Sequence, residues 1–124
     1  MILCDTNIFI EIYRDNKKII ESVKQFGQQN LAISDVSRAE PFFGVRNKKE
    51  LQAIHKDIDN LLVLPIDIII SEMAVNLVEH FSLSHKLSLP DALIAATCIQ
   101  YKIELYTLNI KDFKFLEGIK LFSL

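Results

Sequence analysis

Several residue types and segments that define whole classes of protein are scarce or missing in this chain. Its 124 residues include only three glycines and three prolines, and no stretch is repetitive or low in complexity. This composition excludes disordered, collagen-like and linker-rich proteins. The longest fully apolar stretches, such as residues 68–70, are far shorter than the roughly 20 residues that cross a bilayer. We therefore expect no membrane association.

Cysteine is also scarce, and its placement does not suit zinc or redox chemistry. The two cysteines, Cys4 and Cys98, lie in the most apolar surroundings of the chain and form no C-x-x-C motif. They are predicted to be buried free thiols. The three histidines, His55, His80 and His85, lack the i,i+4 pairing of a helical metal site, so surface or partly buried positions are expected for them.

The chain has no excess of positive charge. Its net charge of -2 argues against a protein that holds nucleic acid through a broad basic surface, but it is compatible with a metal-assisted nuclease. Local basic residues at positions 14–18 and 46–49 could neutralise phosphates near an acidic pocket or could belong to solvated helix faces. Both interpretations remain open for Arg14 and Arg38.

Half of the residues are hydrophobic, which is enough for one compact core, and we predict a single domain over residues 1–124. Short apolar runs alternate with longer amphipathic segments, which predicts βαβ units, an α/β fold and a mainly parallel five-stranded sheet. The predicted strands cover residues 2–4, 31–33, 61–64, 105–107 and 119–122. The predicted helices cover residues 7–14, 17–26, 36–45 and 48–60, a segment from a cap at 67 or 71 to 81, and a segment that opens at 88–91 and runs to 100.

The first apolar run has no basic segment before it and is interrupted by Asp5 and Glu11. A signal peptide is therefore not expected, and a cytoplasmic protein is the default expectation.

Four acidic positions stand at the ends of predicted strands or the starts of predicted helices: Asp5, Glu40, Asp91 and the segment from Asn109 to Asp112. Ligands of open α/β sheets bind at the carboxyl ends of the strands. Carboxylates drawn into one pocket repel each other by roughly 4 kcal/mol per pair at 4 Å, so the pocket needs a cation or protons. Hard oxygen ligands favour Mg²⁺ or Mn²⁺.

Three of the acids also have a purely structural interpretation. Asp91 is suited to the first turn of a helix, Asp5 to a turn at a strand end, and Asp112 to the cap of a short helix through Leu116. Glu40 differs, because it lies between Ala39 and a Pro-Phe-Phe sequence, where an unpaired carboxylate would be costly if buried.

Four segments together carry a resemblance that spans nearly the whole chain. They are MILCDTNIFI (1–10), AISDVSRAEPFFGVRN (32–47), LSLPDALIAATCI (87–99) and LYTLNIKDFKFLEGIKL (105–121). In order and spacing they resemble a PIN domain, and specifically the small VapC-type toxins of bacterial toxin–antitoxin pairs. The resemblance implies a three-layer α/β/α sandwich, Mg²⁺ or Mn²⁺ held by clustered acids, cleavage of single-stranded transfer or ribosomal RNA, a homodimer, and neutralisation by a cognate antitoxin.

The resemblance also assigns roles to individual residues. Asp5, Glu40 and Asp91 match the first three family acids and are the expected metal ligands, while the fourth position is shared between Asn109 and Asp112. These five residues form the expected catalytic set, in which metal ions would activate water for phosphodiester hydrolysis. Glu40 would hold a metal through water or act as a base. Thr6 and Thr107 match polar positions that orient ligands or water, although strand-end hydrogen bonding explains them equally well.

One position departs from the family pattern. Pro41 directly follows the second acid, where an aliphatic residue is usual. Proline inside a helix removes a hydrogen bond and clashes with the preceding turn. If the helix begins at Asp35, Pro41 should kink it, move Glu40 and reduce activity or metal binding. A catalytically silent interaction module is therefore one alternative, and a receiver-type phosphoacceptor domain is a less favoured one.

Overall fold

The fold was analysed in a computed structural model that describes residues 1–123. Five strands form a single parallel sheet: β1 (Ile2–Cys4), β2 (Leu31–Ser34), β3 (Leu62–Leu64), β4 (Glu104–Tyr106) and β5 (Lys120–Phe122). Six helices connect them: α1 (Thr6–Tyr13), α2 (Lys17–Phe26), α3 (Asp35–Phe43), α4 (Lys48–Ile58), α5 (Ile68–His85) and α6 (Leu89–Tyr101). The predicted α/β fold is confirmed, with strand boundaries that differ by at most one residue.

The sheet separates two hydrophobic layers. Side chains on a strand alternate between its faces, so Leu3 packs into a cluster with residues of α5 and α6, whereas its neighbours Ile2 and Cys4 pack with residues of α1 and α2. Helices thus cover both faces of the sheet, as expected for a three-layer sandwich. Cys98 belongs to the first cluster and Cys4 to the second. Both cysteines are buried free thiols, as predicted.

Polar side chains at the helix starts determine where each helix begins. The residue before every helix accepts a hydrogen bond from a backbone N–H of the first turn, which satisfies one of the donors that a helix leaves free. These capping residues, in chain order, are Asp5, Asn16, Ser34, Asn47, Asp67 and Ser88. Asp5 is therefore the single residue that separates β1 from α1.

Two helix predictions were wrong. Helix α5 was expected to end at Phe81, but it continues to His85 and stops only where Lys86 adopts a left-handed conformation with φ of 52°. No glycine or proline interrupts residues 82–85, so nothing in that segment breaks the hydrogen-bonding pattern. Asp112 does not cap a helix through Leu116, because it is the last residue of a short 3₁₀ turn (Ile110–Asp112) that is followed by irregular turns.

Within residues 1–123, every helix is too short or too polar to span a bilayer.

Candidate metal centre

The acidic site lies at the position in the sheet where successive strands stop being added on one side of β1 and start being added on the other. The order is β3-β2-β1-β4-β5, so the chain moves outward from β1 to β3 and then crosses to the other side of β1 to form β4. A crevice opens at such a reversal, beyond the carboxyl ends of the two flanking strands. Asp5 follows β1 and Thr107 follows β4, and the Thr107 hydroxyl donates to Asp5 Oδ2 at 2.8 Å.

Asp5 is held firmly at this crevice. Its Oδ1 accepts a hydrogen bond from the Thr6 N–H at 2.7 Å, and its Oδ2 accepts from Thr107 and from the side-chain amide of Asn7 at 3.4 Å. Only 6% of the residue is exposed. Burial raises the pKa of Asp5, hydrogen bonds from Thr107 and Thr6 lower it, and repulsion from Asp112 raises it. The carboxylate is thus oriented for a ligand but is poorly solvated.

Asn7 was missed as a site residue from the sequence. Its amide nitrogen lies 3.4 Å from the Thr107 hydroxyl, and its Oδ1 accepts from the Leu108 N–H at 3.3 Å. The Asn109 N–H in turn donates to Thr107 Oγ1 at 3.1 Å. An asparagine side chain can donate and accept at once, which suits a bridge between two strand ends. Its place two residues after Asp5 was the available signal, but only the pairing of β1 with β4 gives it a partner.

Asp91 lies in the first turn of α6 without being its cap. Ser88 is the capping residue, and its hydroxyl accepts from the Asp91 N–H at 3.3 Å. The pKa of Asp91 is raised to about 6: burial is the largest cause, repulsion from Asp5, Asp112 and Glu40 adds to it, and hydrogen bonding with Ser88 partly offsets it. The capping role considered for Asp91 is therefore filled by Ser88. The sequence positions of Asp5, Glu40, Asp91 and Asp112 are far apart, but their charges interact in the fold.

The structure distinguishes the two residues at the fourth acidic position. Asp112 repels both Asp5 and Asp91 and is partly buried. Asn109 is exposed, and its observed contact with the site is made by its backbone N–H to Thr107. Asp112 therefore contributes charge to the cluster, whereas Asn109 contributes to the positioning of Thr107.

The cost expected for an unpaired carboxylate at Glu40 does not arise, because its side chain is exposed on α3. Ala39 and Phe43 are exposed as well, since only one side of this helix faces the protein. Helix α3 contacts α1 through a hydrogen bond from Thr6 Oγ1 to the buried Ser37 Oγ at 3.2 Å. Since Ser37 and Glu40 are one helical turn apart, this contact holds Glu40 on the side of the acids.

Comparisons with known proteins agree with this geometry. The PIN domain family profile matches residues 2–116. The chain belongs to the PIN domain family. A chain of a solved toxin–antitoxin complex from Klebsiella pneumoniae is 28% identical and superposes with a TM-score of 0.82 over 100% of both chains. No curated protein sequence matches the chain.

Two further structures share the fold of this PIN domain. A chain of VapBC2 from Rickettsia felis, bound to a promoter DNA fragment, is 23% identical with a TM-score of 0.81 and covers 100% of this chain and 99% of its own length. A chain of VapBC-1 from nontypeable Haemophilus influenzae is 23% identical with a TM-score of 0.82, covering 99% and 98%. The family resemblance drawn from the sequence is confirmed.

The receiver-type alternative was wrong. Receiver domains have the strand order 2-1-3-4-5, whereas β1 lies between β2 and β4 in this PIN domain. Asp67, the acid after β3, is occupied as the cap of α5 and accepts from the Ile70 N–H at 2.8 Å.

The donor set of the acidic cluster suits a hard divalent cation. After burial, repulsion from three neighbouring carboxylates raises the pKa of Asp91, and a cation would remove this repulsion. Carboxylate oxygens are the ligands that Mg²⁺ and Mn²⁺ favour. Among residues 1–123, however, no three His, Cys, Asp or Glu side chains converge on one point. The residues fit the cation in chemistry and charge, because each brings a carboxylate and their mutual repulsion calls for a positive charge.

A largely apolar groove adjoins the acids. It has a volume of about 670 Å³ and lies between α1, α3 and α4. Thr6 and Glu40 line its end at the acidic cluster, while Ile10, Tyr13 and Pro41 belong to its apolar wall. The hydroxyl of Tyr13 donates to Asp57 Oδ2 of α4 at 2.7 Å and so holds α1 and α4 together.

Proposed function

We propose that this PIN domain is a VapC-type toxin, a Mg²⁺- or Mn²⁺-dependent endoribonuclease that acts in the cytoplasm. Its substrate class is single-stranded RNA, with transfer or ribosomal RNA as the expected targets. The observation that carries the proposal is the electrostatic interaction of Asp91 with Asp5, Asp112 and Glu40, around an Asp5 that Thr107 holds at the carboxyl ends of β1 and β4. The neighbouring structures from toxin–antitoxin complexes support the biological role.

Each residue has a role in this proposal. Asp5 and Asp91 would hold the ion, with Glu40 as a ligand through water or as a base, and Asp112 would complete the charge of the site. A bound ion would activate a water molecule and neutralise the charge of the phosphate. Thr107 and Asn7 hold Asp5 in its orientation, because each contacts its Oδ2. Asn109 acts through its N–H on Thr107.

The partners follow from the same proposal. A cognate antitoxin would occupy the groove between α1, α3 and α4, whose apolar wall ends at Glu40, and two copies of the chain would form a homodimer. The similar structure from Klebsiella pneumoniae is a toxin–antitoxin complex, which supports an antitoxin partner.

Purified protein freed of metal with a chelator provides the test. Wild-type protein should melt at a higher temperature after Mg²⁺ or Mn²⁺ is added and should then cleave single-stranded RNA. Asp5→Asn should lose both responses while keeping its circular dichroism spectrum. Glu104→Gln is the matched control, because Glu104 begins β4 at the opposite end of the sheet and is exposed.

The outcomes separate this function from its alternative. A folded wild-type protein that shows neither metal response nor RNA cleavage would instead identify a catalytically silent interaction module, and cleavage by Asp5→Asn at the wild-type rate would refute the site assignment. If cleavage is found, sequencing of RNA ends after induction without antitoxin would identify the target.

A further inference from the structure

A stack of aromatic rings lies between the end of α5 and the segment after the 3₁₀ turn. The imidazole of His85 lies parallel to the ring of Phe115, with 3.9 Å between centroids and 11° between planes. Phe81 supports Phe115 from the side at 5.2 Å. Nδ1 of His85 is hydrogen-bonded to the Ser84 hydroxyl at 2.8 Å. Because His85 is exposed, its ring presents a flat and oriented surface to solvent.

Both sides of this stack are connected by short segments to the acidic cluster. Asp91 lies six residues after His85, and Phe115 lies three residues after Asp112. Buried residues anchor the two segments: Leu87 follows α5, and Phe113 with Leu116 brackets Phe115. These anchors belong to one hydrophobic cluster, so the stack and the acids are held by the same rigid part of the core.

Basic residues accompany the stack. Lys86, Lys111 and Lys114 are exposed, and none of them forms an ion pair within the part of the chain that the structure describes. Apart from Asp112, the only acid in residues 84–88 and 109–118 is Glu117. Lys86 directly follows His85, Lys111 directly precedes Asp112, and Lys114 directly precedes Phe115, so these lysines could contact nucleotides that flank the cleaved bond.

We propose that His85, supported by Phe115, stacks on an unpaired base of the RNA substrate, while Lys86, Lys111 and Lys114 contact its backbone. This inference rests on the proposed ribonuclease function and specifies how the substrate is oriented. Single-stranded nucleic acids are held by this combination of aromatic stacking and positive charge, because every base has a π face and every linkage has a negative charge. A stacking surface also favours RNA outside duplexes, since both faces of a base within a duplex are covered by its stacked neighbours.

The geometry favours an RNA base over a peptide side chain as the occupant. The stack is a flat ring surface flanked by exposed lysines, whereas the groove between α1, α3 and α4 has an apolar wall suited to a peptide. His85 is a positioning residue here, because it holds the substrate and has no part in bond cleavage. Its loss should therefore raise KM and leave kcat unchanged.

Binding is measured in the Asp5→Asn background, so that the RNA stays intact. The probe is a fluorescein-labelled single-stranded RNA of about ten nucleotides of mixed sequence, the usual scale of such sites, and a second oligomer of the same length has abasic riboses. Fluorescence anisotropy gives Kd for both. His85→Ala should weaken binding of the base-bearing RNA on the order of tenfold, the size of one base–aromatic stack, and leave the abasic oligomer unaffected.

Two kinds of variant act as controls. His85→Tyr keeps an aromatic ring and should restore the affinity. His80→Ala removes an exposed histidine from the same helix that does not stack on Phe115, so its Kd should equal the starting value. Lys111→Ala and Lys114→Ala should each weaken binding of both oligomers. Each should also reduce the slope of log Kd against log salt by about 0.7, the value for one lost phosphate contact on a single strand.

Each remaining outcome overturns the inference in a recognisable way. Equal Kd values for His85→Ala and His80→Ala, with RNA cleavage intact in the wild-type background, would refute the stacking role alone. A wild-type protein that neither binds nor cleaves RNA would refute the ribonuclease function and this inference together. Weaker binding of purified antitoxin by His85→Ala, with unchanged RNA binding, would show that the stack contacts a protein.

Discussion

Replacement of Asp91 by asparagine should stabilise the metal-free protein at neutral pH. Burial and the neighbouring acids raise the pKa of Asp91 from its ordinary value of 3.8 to about 6. The folded protein therefore keeps a proton on Asp91 in a pH range where the unfolded chain has lost it. The free energy of unfolding falls with rising pH wherever the folded state binds more protons than the unfolded state. The stability contribution of protonated Asp91 is therefore lost as pH rises from about 3.8 to about 6.

The magnitude follows from the size of the rise. The pKa of Asp91 rises from 3.8 to about 6. At 1.36 kcal/mol per pKa unit, this rise would destabilise the charged form by about 3 kcal/mol in a completely buried site. Asp91 is only half-buried, and solvent screening reduces the effect to about 1.5 kcal/mol. Asp91→Asn keeps the shape of the side chain and removes the charge. The variant and the wild type should thus have similar free energies of unfolding near pH 3.5, and the variant should be more stable by about 1.5 kcal/mol at pH 7.

Urea denaturation at 25 °C between pH 3.5 and 7.5, in a chelating buffer, measures this difference. Addition of Mg²⁺ at pH 7 should then reverse the order, because the wild type gains binding free energy that the variant has lost. Glu104→Gln controls for the loss of a carboxylate far from the cluster. A stability difference that does not grow between pH 4 and 6.5, or that Mg²⁺ does not diminish, would refute the electrostatic account of the site.

Three further predictions concern the residues around the acids and the core. Thr107→Val removes the hydroxyl that donates to Asp5 at 2.8 Å and should weaken Mg²⁺ binding and activity by about tenfold, as measured by calorimetry and RNA cleavage. Ser22→Ala leaves the buried hydroxyl of Tyr106 without its 2.8 Å partner and should lower the free energy of unfolding by about 1–3 kcal/mol in urea titrations. Pro41→Leu restores an N–H inside α3 and should raise both Mg²⁺ affinity and the cleavage rate.

Each of these predictions has its own control. Thr97→Val changes a threonine of α6 whose hydroxyl bonds only to the Leu93 carbonyl, so a loss of metal affinity equal to that of Thr107→Val would contradict the positioning role. Tyr106→Phe combined with Ser22→Ala should recover part of the lost stability, and no recovery would mean that packing dominates. Equal Mg²⁺ affinity and activity of Pro41→Leu and wild type would reject a functional effect of Pro41.

Pro41 shows how far local sequence reasoning extends. The chemistry of proline predicted a disturbed helix, with a cost that depends on where the helix begins. The structure begins α3 at Asp35, so Pro41 is the seventh of its nine residues and lies well past the first turn. The first residue of a helix depends on which polar side chain caps it, and Ser34 has this role here. The predicted effect of Pro41 on activity stays a prediction.

Glu40 and Asn7 show where such reasoning fails. The apolar neighbours of Glu40 in the sequence suggested burial, but α3 leaves Glu40, Ala39 and Phe43 in solvent. Asn7 received no role, because its partners Thr107 and Leu108 lie 100 and 101 residues away in the sequence. Burial and hydrogen bonding of this kind depend on which surfaces meet, and sequence neighbours do not determine this.

The sequence by itself determined the α/β class, the parallel sheet and the positions of most elements, and it predicted the acids of the candidate site. These features depend on periodicity, capping residues and turn chemistry, which act over a few neighbouring residues. Only the tertiary structure decided that β1 lies between β2 and β4. This strand order brings Asp5 to Thr107 and within electrostatic range of Asp91 and Asp112. The site thus depends on contacts between residues about 100 positions apart, which form only when the whole sheet is assembled.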